Sequence, residues 1–133
     1  MKIFTTSQLA VKGGVISETI RYYERKGLLP PPARTVGGYR QYTEDDLKRL
    51  TFIKMAKEHG FTLKEIKELL ELRVSAQSTC NEVREMAQTK INVVEEKIRE
   101  LKQIRKALKH LMVNCHIQSP TDECPILDTF DGA

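Results

Sequence analysis

The sequence predicts an all-α fold with one small β-hairpin wing and a long solitary helix in its second half. Three observations carry this. Helix start and stop signals recur through the first 73 residues, a Gly-Gly pair sits between two β-prone arms near residues 34–42, and neither Gly nor Pro occurs between Cys80 and Pro120. With 133 residues, 40% hydrophobic and 30% charged, the chain suits one small domain or such a domain plus an appendage. Tryptophan is absent and aromatics make up 6%, which argues against an enzyme cleft that stacks sugars or bases. No apolar run approaches the roughly 18 residues of a membrane helix, and the first ten residues lack the apolar stretch of an export signal. The expected location is the cytoplasm, with no membrane partner.

Each element has a local reason. Thr5 and Gln8 have the spacing of a capping box, so a short helix starts there and stops at Gly13-Gly14. Ser17-Glu18 opens a second helix with Ile20 and Tyr23 on its inner side, and Gly27 ends it. Pro30-Pro31-Pro32 forms a stiff extended exit, and Gly37-Gly38 reads as the turn of a hairpin. Thr43, with Asp46 three residues on, starts a third helix whose apolar stripe is Leu47, Leu50, Ile53 and Met55; Gly60 closes it. Thr62-Leu63-Lys64-Glu65 is a capping box for a fourth helix, with Ile66, Leu69 and Leu70 inward. Two helices joined by a short glycine turn, a hairpin and two more helices make the layout of a winged helix-turn-helix.

Charge agrees with that layout. Residues 1–75 carry a net charge of +5 and residues 76–133 a net charge of −1. A basic first half points toward nucleic acid. In a helix-turn-helix the second helix enters the major groove. Here it presents Ser17, Glu18, Thr19, Arg21, Tyr22 and Tyr23, with Arg21 able to reach a phosphate or a guanine edge and the tyrosines offering hydroxyls and rings. Arg34, Tyr39 and Arg40 on the hairpin flank the groove. The competing reading makes Tyr23 and Tyr39 core residues and the arginines members of surface ion pairs.

Residues 74–79 are mostly small and polar and read as a linker, and Thr79 to Glu82 has capping-box spacing. Beyond it Ala87, Ile91, Val94, Ile98, Leu101, Leu108 and Met112 recur as an a/d heptad stripe, with Arg105 in one seam slot. Charges at 95–97, 99, 100, 102, 106 and 109 lie mostly off that seam. A single helix cannot bury its own stripe and the chain offers no second long helix, so a homodimer is expected. The competing reading folds this helix back onto the first half.

The chain has three cysteines, Cys80, Cys115 and Cys124, separated by 35 and 9 residues. An odd count in a cytosolic chain argues against a disulfide framework. Cys80 sits at the first helical position, where exposed N–H groups favour a thiolate. A helix of about 34 residues is about 51 Å long, so Cys80 and Cys115 cannot meet within one chain. In an antiparallel pair of such helices Cys80 of one subunit approaches Cys115 and Cys124 of the other, giving two composite three-thiolate sites per dimer. A parallel pair forbids this. Three thiolates favour a soft ion. Hg(II) and Pb(II) accept three sulfurs, whereas Zn(II) needs a fourth ligand such as His116, Asp122 or water. Three unrelated free cysteines are the alternative.

The stretch Gly14-Val15 … Glu18-Thr19-Ile20-Arg21-Tyr22-Tyr23-Glu24, with Gly27-Leu28-Leu29-Pro30, Gly38-Tyr39-Arg40, Tyr42 and Phe52-Ile53 … Gly60-Phe61-Thr62-Leu63-Lys64-Glu65-Ile66, resembles the MerR family of bacterial transcription regulators. The spacing Cys80 … Cys115-x8-Cys124-Pro125-Ile126 resembles that of the family's mercury(II)-sensing members. Asn114-Cys115 stands where zinc-sensing relatives often carry two adjacent cysteines, and cadmium- and lead-sensing relatives share single cysteines at these positions. The resemblance implies a winged helix-turn-helix DNA-binding domain over 1–73, a hinge at 74–79, an antiparallel dimerisation helix over 80–113, and a metal-binding loop and tail over 114–133. It also implies Hg(II) as effector, with Pb(II), Cd(II) and Zn(II) as alternatives, and promoter DNA and RNA polymerase as partners. Such a dimer holds an over-long promoter unproductive without metal and distorts it into a productive form with metal. No catalytic constellation or Gly-rich phosphate loop is present, so an enzyme is not expected. A thiol metal buffer and a Cys115–Cys124 redox sensor are the other classes to be separated from a regulator.

Overall fold

The structure is a computed structural model that describes residues 2–113, 115, 120, 121 and 124–132. The described residues divide into two compact units, Met1–Met86 and Ala87–Ala133. The first contains β1 (Ile3–Phe4), α1 (Thr6–Gly13), α2 (Ser17–Arg25), β2 (Ala33–Arg34), β3 (Arg40–Thr43), α3 (Glu44–Glu58), α4 (Leu63–Val74) and the start of α5 (Cys80–Val113). The second contains the rest of α5 and α6 (Pro125–Phe130). The division falls inside α5 rather than in the 74–79 segment. No described helix is long and apolar enough to cross a membrane.

Capping chemistry sets the helix starts. Thr5, Thr43 and Thr62 each accept a bond from the amide three residues on, while Gln8, Asp46 and Glu65 reach back to the capping amide. At α5 the Glu82 carboxylate accepts from the Thr79 amide (2.9 Å), and the return bond goes to the Thr79 carbonyl (3.1 Å). Each reciprocal pair satisfies donors that a helix start otherwise leaves orphaned. α1 ends at Gly14, whose φ of 69° is left-handed, and the chain turns directly into α2.

The expected wing is present, but its sheet has three strands in the order β1-β3-β2. Ile3 pairs with Thr43 and Phe4 with Tyr42, while Ala33 pairs with Gln41 and Arg34 with Arg40, all antiparallel. The two-residue β1 has no periodicity to announce it in the sequence. It is held because Phe4 and Tyr42 are both buried. The wing loop closes through Thr35, whose amide donates to the Tyr39 carbonyl (2.8 Å) and whose hydroxyl accepts from the Tyr39 amide (3.1 Å).

One core holds these elements together. Leu9, Ile20, Leu28, Tyr42, Leu50, Ile53 and Ile66 are its most deeply buried side chains. Leu47 packs against its edge, but Met55, expected on the same stripe, is 50% exposed. Two residues beyond Ile53 is a rotation of roughly 200° around a helix, so Met55 faces away from the Leu50–Ile53 side.

The close approach of α1 to α3 depends on Gly13. A methyl group there would lie 2.3 Å from Cδ2 of the fully buried Leu50. Overpacking of this kind costs about 1–3 kcal/mol. We expect Gly13→Ala to lower the urea midpoint of unfolding with an unchanged m-value, despite alanine's better helix propensity.

Candidate nucleic-acid interface and thiol centre

α2 is amphipathic, and its residues divide by face. Ile20 and Tyr23 turn into the core, as their i, i+3 spacing requires. Tyr23 is only 4% exposed, so its expected role at a nucleic-acid surface is corrected: it is a packing residue. Arg21 and Tyr22 are exposed, and Ser17 and Thr19 are half-buried. Exposed Glu18 pairs with both Arg21 (3.5 Å) and Arg25 (3.8 Å). Such open ion pairs contribute little to stability and exchange readily for a stronger anion. The Arg25 guanidinium and the Lys26 ammonium both stand over the Tyr22 ring, 5.8 and 5.7 Å from its centroid. The exposed end of α2 is therefore a cationic surface with an aromatic centre.

The wing adds two exposed groups and one restrained group. Tyr39, weighed as a core residue, is instead 76% exposed. Arg34 is exposed and donates from Nη1 to the Gly38 carbonyl (2.8 Å), which orders the loop without consuming its charge. Arg40 is different. Its Nη1 forms an ion pair with Oε1 of Glu24 on α2 and lies 3.4 Å from the Tyr42 hydroxyl, while Tyr42 donates to Oε2 of Glu24 (2.9 Å). The hydrogen bond to Tyr42, with the field of Glu24 adding, raises the Arg40 pKa above its usual value. Sequence reasoning placed Glu24 in the family motif but gave it no role at the site. Nothing local marks it, because its partners lie 16 and 18 residues away.

The cysteines lie at element boundaries. Cys80 is the first residue of α5 and is exposed. Cys115 is half-buried just past the last residue of α5, its amide donating to the Met112 carbonyl (3.1 Å). Cys124 is the half-buried N-cap of α6, followed by Pro125 at the first turn. All three are free thiols. Among the described residues of a single chain, no group of three or more His, Cys, Asp or Glu converges to hold a metal ion. His116 and Asp122 lie outside the described residues.

The α5 seam is uncovered along its length. Ile91, Val94, Ile98, Leu101, Leu108 and Met112 are exposed, and Ala87 is half-buried. Val83 and Ile104, also exposed, extend the stripe and were not anticipated. Val83 lies four residues before Ala87, and Ile104 lies three after Leu101, so both share its face.

Comparison with known proteins decides the family. The model for the MerR HTH family regulatory protein matches residues 4–72, and the model described as "MerR, DNA binding" matches residues 47–111. The chain belongs to the MerR family. MerR-family proteins are transcription regulators rather than enzymes. Among MerR relatives, the mercuric resistance operon regulatory protein of Bacillus cereus is 43% identical, with 96% of each chain covered. The transcriptional regulator ZntR of Escherichia coli K12 is 39% identical over 97% of this chain and 93% of that protein. Among solved structures, PbrR691 of Ralstonia metallidurans CH34 in complex with lead(II) superposes with a TM-score of 0.85 at 35% identity, covering 96% of this chain and 98% of that one. MerR of Bacillus megaterium MB1 in complex with mercury(II) gives a TM-score of 0.72 at 38% identity, with the same coverage. HiNmlR, a MerR-family regulator bound to promoter DNA, gives 0.59 at 30% identity over 84% of this chain and 85% of that one.

Proposed function

We propose that this protein is a cytoplasmic, metal-responsive regulator of a mercury-resistance operon that binds Hg(II) through three cysteine thiolates shared across a homodimer. The observation that carries this reading is the placement of Cys80 at the first residue of α5 and of Cys115 and Cys124 beyond its other end, on a helix whose apolar seam is uncovered. Two such helices packed antiparallel bury the seam and bring Cys80 of one subunit to Cys115 and Cys124 of the other. Three soft sulfurs suit Hg(II) without a fourth ligand.

Arg21, Tyr22, Arg34 and Tyr39, with Ser17, Glu18 and Thr19 beside them, form the surface offered to promoter DNA. Two copies related by a two-fold axis suit a palindromic site. Residues 1–73 act as the DNA-binding domain, 74–79 as the hinge, 80–113 as the dimerisation helix and 114–133 as the metal-binding loop and tail. Closing the thiolate sites at the ends of the paired helices biases the placement of the two DNA-binding domains. The dimer represses without metal and, with metal, distorts the promoter so that RNA polymerase engages it; the deformation energy of DNA is the quantity the metal offsets.

The second reading is a sensor of another soft ion, since a lead(II)-bound regulator and a zinc regulator stand among the similar proteins beside the mercury regulators. Competitive titration of Hg(II), Pb(II), Cd(II) and Zn(II) into the reduced dimer separates the two. The mercury reading expects a thiolate-to-metal charge-transfer band that survives excess small thiol and outcompetes the other three ions. Retention of lead in preference to mercury overturns it. A gel-shift with the DNA upstream of the gene distinguishes a regulator from a thiol metal buffer, which has no reason to prefer that duplex.

A further inference from the structure

We infer that Glu24 is a specificity-determining positioning residue: it neutralises Arg40 in place and ties the wing to the second helix of the helix-turn-helix. This rests on the DNA-binding reading above. Glu24 is the eighth residue of α2 and its side chain is only 10% exposed. Both of its oxygens are committed to strand β3, Oε1 to Arg40 and Oε2 to Tyr42. Tyr42 is itself buried and paired with Phe4 in the sheet. A carboxylate on the α2 helix is thus fixed at two points to the strand that carries the wing.

The electrostatic consequence follows. Arg21 and Arg34 are exposed cations, and among the described residues the ion pair of Arg21 is with the open Glu18. They are free to displace counterions from phosphate. Arg40 has 27% of its side chain exposed and already holds a carboxylate. It acts as a strut whose charge Glu24 neutralises. Without that carboxylate Arg40 becomes a loose cation on a loosened wing. Such a cation strengthens sequence-independent attraction to any duplex and weakens discrimination, because phosphate contacts carry no sequence information.

The test measures binding of the full-length dimer to two duplexes over a range of salt, one carrying the DNA upstream of the gene and one of scrambled sequence. Each neutralised phosphate contributes about 0.9 to the slope of log K against log salt. Arg21→Ala and Arg34→Ala each lower the slope by about 1. Arg40→Gln leaves the slope nearly unchanged. Glu24→Gln steepens the slope on the scrambled duplex by about 1, raises affinity for it several-fold and reduces the ratio of the two affinities. The double variant Glu24→Gln/Arg40→Gln, which replaces the ion pair by a neutral amide pair, returns the slope to the wild-type value. Thermal unfolding of each variant shows whether the domain remains folded. If Glu24→Gln folds but slope and ratio are unchanged, or if Arg40→Gln alone lowers the slope by a full phosphate, the inference is overturned. If the wild-type dimer prefers neither duplex, the DNA-binding reading itself fails.

Discussion

Mixing Cys80→Ser subunits with Cys115→Ser subunits is expected to regenerate one full metal site per heterodimer, although neither variant is expected to bind metal as a homodimer. In the antiparallel arrangement each site draws Cys80 from one subunit and Cys115 with Cys124 from the other. A heterodimer of the two variants keeps one site with all three thiolates and one with a single thiolate. If a site used the cysteines of one chain, no combination of these variants could restore it. The helix itself argues against the single-chain case, since Cys80 opens α5, Cys115 lies two residues beyond its end, and 34 residues span about 51 Å. Loss of one thiolate from three removes a metal bond outright. Losing an outer-shell support already costs up to about 100-fold in affinity, so each homodimer is expected to fall by at least that much. Equilibrium dialysis with Hg(II) against excess small thiol reads the stoichiometry: one ion per mixed dimer, none per single-variant dimer. Absence of any bound ion in the mixed sample sinks the shared-site arrangement.

Ile98→Asp is expected to dissociate the dimer. The midpoint of α5 falls between Glu96 and Lys97, so in a fully overlapped antiparallel pair Ile98 lies near the two-fold axis. The substitution sets two carboxylates close to one another within an apolar seam. An uncompensated buried charge costs about 3–5 kcal/mol, which is at least about 100-fold in the dissociation constant. Sedimentation at micromolar concentration reads it directly as a shift to monomer. Lys97→Asp, one residue away and off the seam, serves as the matched control and keeps the dimer. A dimeric Ile98→Asp protein with its N-terminal unit folded means that the stripe is covered by something other than its own copy.

The helices α1 to α5 were legible because their signals are local, whereas α6 lies in the stretch read as a loop and tail. Thr5 with Gln8, Thr43 with Asp46 and Thr62 with Glu65 satisfy one another within a single turn, so three helix starts could be placed from spacing alone. The left-handed glycines at 14, 27 and 60 mark ends for the same reason. β1 was not legible. Two residues carry no periodicity, and Ile3–Phe4 becomes a strand only because Tyr42, nearly forty residues on, provides a partner and a buried neighbour. Met55 was misplaced because a stripe read as a set of apolar residues ignores how far each turns around the helix.

The candidate site divides along the same line. The cysteine positions and the seam of α5 are properties of one helix, and rise per residue with heptad spacing suffices to read them. The face of α2 required the fold. Tyr22 and Tyr23 are adjacent and chemically alike, yet one is exposed with cations over its ring and the other is in the core. Arg34 and Arg40 are equally basic in the sequence, and only the return of β3 against α2 places Glu24 on one and leaves the other exposed.

Residue order alone therefore determined helices α1 to α5, their ends, the apolar stripe and the positions of the three sulfurs, because capping, helical rise and periodicity act over a few residues. The tertiary structure decided which tyrosine and which arginine remain available to a ligand. Burial and ion pairing between segments far apart in sequence depend on what the fold brings alongside, and no local pattern records that.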